Sequence, residues 1–253
     1  MNLTWITGRK IGTDLAGETE VGLSVSLTIL GHNLHMISPS KGIYEGVERH
    51  TLVGQSNITG LKSISMGKNV KKIISIDSDL WNWTDIFLID WRLVTSLEGE
   101  MRKHGAKWCI IDRGPPADNG IIANLQKIQW KRAWKISSKG AQGGFVVSNR
   151  HEEFVRAKTG VGMEIQALPA GTKLANFSGL KKSPDGHVRF VYSGQLDENR
   201  DIAGIAKLIE NFDIIADDCS IAIMGKGKLP PELELLFDLS EQVDFYGHVS
   251  VSR

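Results

Sequence analysis

Short runs of near-continuous apolar residues recur along the chain, each followed by a segment whose apolar residues return every three or four positions. Runs such as Ile86-Phe87-Leu88-Ile89 and Phe190-Val191-Tyr192 show no polar alternation. A strand with one wet face alternates, whereas a strand covered on both faces does not. This pattern predicts strands at 3–7, 33–38, 61–66, 85–90, 107–113, 145–149 and 164–168, then at 188–193, 220–224 and 243–246. Between the later strands, Ile202, Ile205, Ala206, Ile209 and Phe212 form one helical stripe. Val21, Val25, Thr28 and Ile29 mark one face of an early helix and Leu23, Leu27 and Leu30 another. That helix is expected to be buried all round and to end at Gly31. Val70, Ile73, Ile74, Asp77, Leu80 and Trp81 predict one more helix. Alternating strand and helix with short joins means an α/β fold of parallel sheets and right-handed crossovers.

The polar, turn-rich stretch from Gly171 to Gly186 reads as a linker. The expected organisation is a domain at 1–176, a linker at 177–186 and a second unit at 187–253. The first unit has about seven strands and reads as complete. The second has three, and falls short of the ~100–150 residues typical of a domain. The sequence ends soon after a strand without the helix a parallel strand calls for, so this domain is expected to be incomplete. The net charge of +1 hides a split. Residues 187–253 hold six basic and twelve acidic residues, and residues 1–186 hold twenty-four and seventeen. Two units with different partners fit that asymmetry. With 41% hydrophobic and 23% charged residues, the chain is neither disordered nor fibrous. Cys109 and Cys219 sit in apolar runs and are expected as buried thiols. No apolar run reaches the ~18 residues of a membrane span, and the first residues read as a strand rather than a leader. A reducing cytoplasm is the expected location.

In parallel sheets ligands gather at the carboxyl ends of strands. Four such ends carry suitable residues. The loop from Gly8 to Glu20 includes Gly12 and Gly17, which let backbone N–H groups approach an anion near a helix N-terminus. It matches neither the dinucleotide glycine pattern nor a P-loop, and a flexible connection is the alternative. Arg113, in Asp112-Arg113-Gly114-Pro115-Pro116, can meet a phosphate or carboxylate bidentately, while Asp112 can pair with it or cap the next segment. Ser193 to Asp201 places Gly194 beside a helix entrance holding Arg200, where a cation and a helix N-terminus favour an anion. Asp197, Glu198 and Asp201 stand close enough to pair with Arg200 instead. Gly225 and Gly227 follow the strand at 220–224. Residues 119–151 contain six cations, no acid, and Trp130 and Trp134. That stretch fits either an anionic membrane surface or a core helix with a solvated basic edge. Nucleic-acid binding has no supporting motif. Seven scattered His show no metal spacing, and no nucleophile elbow is present.

Read in order, these pieces resemble a known family. Gly17-Glu18-Thr19-Glu20 and Gly31-His32-Asn33-Leu34-His35-Met36-Ile37-Ser38 resemble its "GGxE … GHxVxVis" opening. Val146-Val147-Ser148-Asn149, Leu168-Pro169-Ala170-Gly171-Thr172 and Phe177 are similar to its "vvs … iPxGvdxxxF" run. Val191 to Asp201 resembles "vyvGRLxxxKg", Ile221 to Gly227 "lxivGxG", and Val243 to Val249 "VxFxGxv". The set resembles a family 4 glycosyltransferase of the GT-B fold. The resemblance implies two Rossmann-like doubly wound domains facing a cleft, the second incomplete here. It implies transfer of a sugar, with retention, from a nucleotide-sugar donor to a glycan or lipid-linked acceptor, with no metal and no other cofactor. Gly194, Gln195 and Arg200 would then meet the donor diphosphate, and Gly225 and Gly227 would lie near the nucleotide. Gly12 and Gly17 would border the donor phosphates or the acceptor, with Arg113 on the acceptor side.

Two departures matter. Gln195 stands where the family carries Arg, so part of the cationic clamp is missing. The sequence also ends before the family's E-x7-E segment, so this polypeptide alone is expected to be weakly active or inactive. The expected site of action is the cytoplasm, peripheral at the inner face of a membrane. A non-catalytic or split-enzyme nucleotide-sugar-binding module is the first alternative. A nicotinamide-dependent Rossmann enzyme is the second, disfavoured by the missing G-x-G-x-x-G.

Overall fold

The computed structural model describes residues 1–11, 15–40, 47–58, 61–116, 121–170, 187–194, 196, 202–211, 219–225, 227, 234, 241–247 and 249. The chain separates into two compact units, Met1–Asn176 and Phe177–Arg253. The expected linker at 177–186 lies outside the described residues.

In the first unit seven strands form one parallel sheet. They are β1 (Asn2–Ile6), β2 (Asn33–Ser38), β3 (Arg49–Leu52), β4 (Ile86–Asp90), β5 (Trp108–Asp112), β6 (Gly143–Val146) and β7 (Ile165–Ala167). Their order is β3-β2-β1-β4-β5-β6-β7. The chain winds outward from β1 in both directions, so the switch point lies between β1 and β4. There Ile6 pairs with Ile37 on one side and Ile89 on the other. Alternate residues of each strand feed separate cores. Ile6, Phe87, Ile89 and Ile110 pack beneath α2 (Lys62–Ile74), α4 (Trp91–Lys103), α5 (Ile121–Gly140) and α6 (Asn149–Thr159). Leu3, Trp5, Leu88 and Ile111 face Leu23 and Leu27 of α1 (Leu15–Ile29). Helices on both faces explain the unbroken apolar runs.

Three expectations are corrected here. Residues 61–66 open α2 rather than forming a strand, because Met66, Val70 and Ile74, four apart, are fully buried on one helical face. The missing strand is β3, a short polar edge held by His35 Nε2 to Thr51 Oγ1 at 2.8 Å and Ser38 Oγ to His50 Nε2 at 2.8 Å. The single helix expected across 70–81 is two, since Asp77 caps α3 (Ser78–Trp83) by accepting from the Leu80 N–H at 2.9 Å. Nor is α1 buried all round, as Ile29 is 80% exposed. It does end at Gly31, at φ 84°, where the Gly31 and His32 N–H groups donate to Thr28 and Leu27 carbonyls.

The second unit has a parallel sheet of β8 (Val188–Ser193), β9 (Cys219–Met224) and β10 (Val243–Gly247), ordered β10-β9-β8. Ile205, Ala206 and Ile209 of α7 (Ile202–Glu210) pack on Ile221 and Ile223, as the stripe predicts. β8 is not covered on both faces, since Val188 and Val191 are exposed. Cys109 and Cys219 are both buried, as expected, and burial pushes the Cys109 thiol up.

Candidate functional site

In the first unit the switch point gathers charge at the carboxyl ends of β1, β4 and β5. After β1 the chain runs through Thr7, Gly8, Arg9 and Lys10 to Ile11. Gly17 of α1 lies against this loop, since a Cβ there would stand 2.8 Å from the Lys10 carbonyl oxygen. Its lack of a side chain lets helix and loop close on each other. Gly12 lies outside the described residues. One turn beyond Gly17, Glu20 is 1% exposed. The Thr7 hydroxyl donates to its Oε1 at 3.0 Å, Arg9 Nε lies 3.6 Å from the same oxygen, and Oε2 has no hydrogen-bond partner among the described residues. Burial, reinforced by the charge of Asp90, pushes the Glu20 carboxyl up to about 8, against the pull of Thr7, Arg9 and Arg113.

Asp90 ends β4 and is 4% exposed. It caps α4 through the Arg92 N–H at 2.9 Å and pairs with the Arg92 guanidinium at 3.3 Å. That guanidinium also lies over the Trp91 ring, 4.7 Å from its centroid. Beside these residues is a cavity of about 330 Å³, lined by Arg9, Lys10, Lys62, Asp90, Arg92 and three glutamines among others. A shallower hollow of about 530 Å³ lies by the C-terminal turns of α5 and α6, lined by Lys135, Lys139 and Gly160 among others. Helix carbonyl ends do not favour an anion, so the strand-end cavity is the better candidate.

Arg113 follows β5. Its Nη1 donates to the Leu168 carbonyl at 2.6 Å, so it is anchored across the sheet edge rather than paired with Asp112. Burial lowers its pKa, and Glu20 raises it. Asp112 is fully buried and accepts from the Trp130 and Trp134 indoles at 2.6 and 2.9 Å and the Gly114 N–H at 3.0 Å. His151 Nε2 stands 3.5 Å away. Burial alone would raise this carboxyl, but His151 and the two indoles hold it below its ordinary range. The two tryptophans of the basic helix are thus core residues, 2% and 0% exposed. The outer face of α5 carries Leu125, Ile128, Lys131, Arg132 and Lys135 instead.

In the second unit the structure brings Gly194, Gly225 and Gly227 together at the carboxyl ends of β8 and β9. The Gly194 N–H donates to the Met224 carbonyl at 3.0 Å, and Leu196 and Gly227 form a parallel bridge. A Cβ on Gly225 would collide with the Gly194 carbonyl, and one on Gly227 with that of Leu196. Backbone packing therefore already requires glycine at 225 and 227. Gln195 and Arg200, expected at the diphosphate, lie outside the described residues. Among the described residues no cluster suited to a metal is present.

Sequence reading singled out the loop from Gly8 to Glu20 without giving Arg9, Lys10 or Glu20 a role of its own, and missed Asp90, Lys62 and Arg92 as site residues. Asp90 had a signal, a carboxylate closing the unbroken apolar run Ile86–Ile89. Lys62 had none while 61–66 read as a strand.

No protein-family model matches the chain, and no curated protein sequence matches it. Solved structures do. It is similar to the apo form of a lipopolysaccharide outer core galactosyltransferase, WaaB, with 14% identity and a TM-score of 0.63, over 99% of this chain and 69% of that one. It is similar to a UGT transferase from Siraitia grosvenorii in complex with UDP, with 11% identity and a TM-score of 0.63, over 99% and 72% of the two chains. A protein named as a UDP-N-acetylglucosamine 2-epimerase from Listeria monocytogenes matches at 9% identity and a TM-score of 0.57, over 99% and 69%. The fold is of the GT-B type, with two Rossmann-like units and the second incomplete relative to these neighbours.

Proposed function

We propose that this protein is a nucleotide-sugar-dependent glycosyltransferase of family 4 type, moving a sugar with retention to a glycan or lipid-linked acceptor. The observation that carries this reading is the meeting of Gly194, Gly225 and Gly227 at the carboxyl ends of two parallel strands, in a GT-B fold whose solved neighbours include transferases. Such strand ends are where parallel sheets bind ligands. In this reading Arg200 supplies a fixed cation, Gln195 a neutral donor, and Gly225 and Gly227 border the nucleotide. Leaving diphosphate gains charge as the sugar–phosphate bond breaks, and pre-placed cations and N–H groups stabilise it without a metal. In the same reading Gly12 and Gly17 border the donor phosphates or the acceptor, and Arg113 stands on the acceptor side. The exposed basic face of α5 supports action at the inner face of a membrane, in the cytoplasm.

Calorimetric titration with UDP, GDP and NAD tests the donor assignment. One nucleoside diphosphate is expected to bind, and Arg200→Ala to weaken it about ten- to a hundredfold, the worth of one charge-assisted contact. Binding of NAD with no nucleoside diphosphate would instead make the protein an oxidoreductase. With donor and acceptor supplied, an epimerised donor sugar in place of a glycosylated acceptor would overturn the transfer step.

A further inference from the structure

The cavity at the switch point of the first unit holds more positive charge than its own residues neutralise. Arg9, Lys10, Lys62 and Arg92 line it against a single carboxylate, Asp90. Asp90 is already engaged by the backbone and guanidinium of Arg92. Lys10 and Lys62 form no ion pair among the described residues. Arg9 Nε is buried, lies 3.6 Å from Glu20 Oε1 and has no hydrogen-bond partner among the described residues. Gln55, Gln126 and Gln129 add amides suited to hydroxyl groups. The Gln129 amide donates to the Arg92 carbonyl at 3.1 Å, which fixes the cavity wall.

We propose that this cavity binds a phosphoryl group carried by the acceptor, with Lys10, Lys62 and Arg9 as its cationic contacts. The proposal deepens the transferase reading and rests on it for the word acceptor. Two lysines without an ion pair among the described residues, with Arg9 beside them, match a dianionic phosphate monoester better than a singly charged carboxylate. A volume of about 330 Å³ leaves room for that group and a sugar ring. Leu61, Leu125 and Ile128, next in sequence to Lys62, Gln126 and Gln129, are 47%, 61% and 64% exposed, so apolar surface lies on the same helices. A phosphorylated saccharide and a lipid phosphate share the chemistry the cavity selects.

The test is calorimetric titration of the 253-residue chain at low ionic strength with mannose 6-phosphate, mannose and dihexanoyl phosphatidic acid. UDP and GDP are titrated in parallel. Phosphorylated probes are expected to bind and mannose not. Lys10→Gln with Lys62→Gln is expected to raise Kd about ten- to a hundredfold, through two lost charge-assisted contacts. Lys10→Arg with Lys62→Arg should restore binding, and Lys72→Gln with Lys107→Gln, exposed lysines away from the cavity, should leave it unchanged. Thermal melting of each variant confirms that these surface changes keep the fold. Whichever phosphorylated probe binds more tightly identifies the source. Binding that ignores the phosphoryl group, no saturable binding, or equal loss in both glutamine variants would overturn the proposal. Loss of UDP or GDP binding in the Lys10 and Lys62 variant would assign the cavity to the donor, so the proposal would fail while the transferase reading stood. Absence of both UDP and GDP binding to the parent chain would remove the transferase reading, and phosphoryl-dependent binding would still stand as a property of the cavity.

Discussion

Glu20 and Asp112 are both buried carboxyls near strand ends, and burial raises both. Asp112 has two indoles, a backbone N–H and His151 facing it, which reverse that tendency. Glu20 has one hydroxyl donor and a repelling Asp90, which do not. The sign for stability follows. The folded pKa of Glu20 is about 8 against an ordinary 4.5, so the native state holds a proton the unfolded state has released. Its contribution is full below about 4.5 and is lost as pH rises through about 8. His35, lowered to about 4 by burial, acts oppositely, with stability lost as pH falls from 6.5 toward 4. The interval from 6.5 to 8 therefore separates Glu20 from His35. Glu20→Gln is expected to flatten the fall in Tm across that interval, and a parallel slope in the variant would refute the assignment. For Asp112, replacement by Ala strands two buried indole N–H groups and should cost roughly 3 kcal/mol in urea unfolding. Asp112→Asn keeps an acceptor and should cost less. A loss under about 1 kcal/mol for the alanine variant would mean that water replaces the carboxylate.

At the level of elements, the sequence was legible wherever burial on both faces left an unbroken apolar run. β4 and β5 declare themselves in this way, and so does the α7 stripe. β3 was invisible because an edge strand needs no apolar run, and among the described residues Arg49-His50-Thr51-Leu52 pairs with β2 alone. The opening of α2 misled because Ile64 and Met66 alternate with Ser63 and Ser65, and only Val70 and Ile74 reveal the longer period. The site was partly legible for the same reason. Polar residues ending apolar strands could be singled out, as Arg113 was, whereas the cavity is made by helix starts that converge only in three dimensions. Gly225 lies between these cases, since its place after β9 was readable but its contact with Gly194 was not. Gly225→Ala forces a Cβ onto the Gly194 carbonyl, so the ends of β8 and β9 must part. Hydrogen exchange should show lost protection across β8 and β9 and unchanged protection in β4 and β5, because each unit has its own core. Unaltered exchange in β8 and β9 would show that the strand ends can spread without cost.

Over the whole molecule, charge is divided as sharply as structure. The stretch to residue 186 carries a net +7 and the rest a net −6. The division is not an even coating, since residues 119–151 include no acid at all. Within α5 the core takes Trp130, Ala133 and Trp134, which turns Leu125, Ile128, Lys131, Arg132 and Lys135 outward together. An anionic bilayer attracts each nearby cation by about 1 kcal/mol within a Debye length, and exposed aliphatic side chains add burial at the headgroup boundary. With both tryptophans in the core, electrostatics must supply most of the attraction. The protein is therefore expected to sediment with phosphatidylserine-containing vesicles at low salt, not with neutral phosphatidylcholine vesicles, and to be released by 0.5 M salt, about a 4 Å screening length. Reversing Lys131, Arg132 and Lys135 to Glu should abolish sedimentation, whereas Leu125→Ser with Ile128→Ser should only weaken it. Equal sedimentation of the charge-reversed variant would remove α5 as the contact. Salt-resistant binding that the two serine changes abolish would show insertion of the aliphatic pair to be the dominant force.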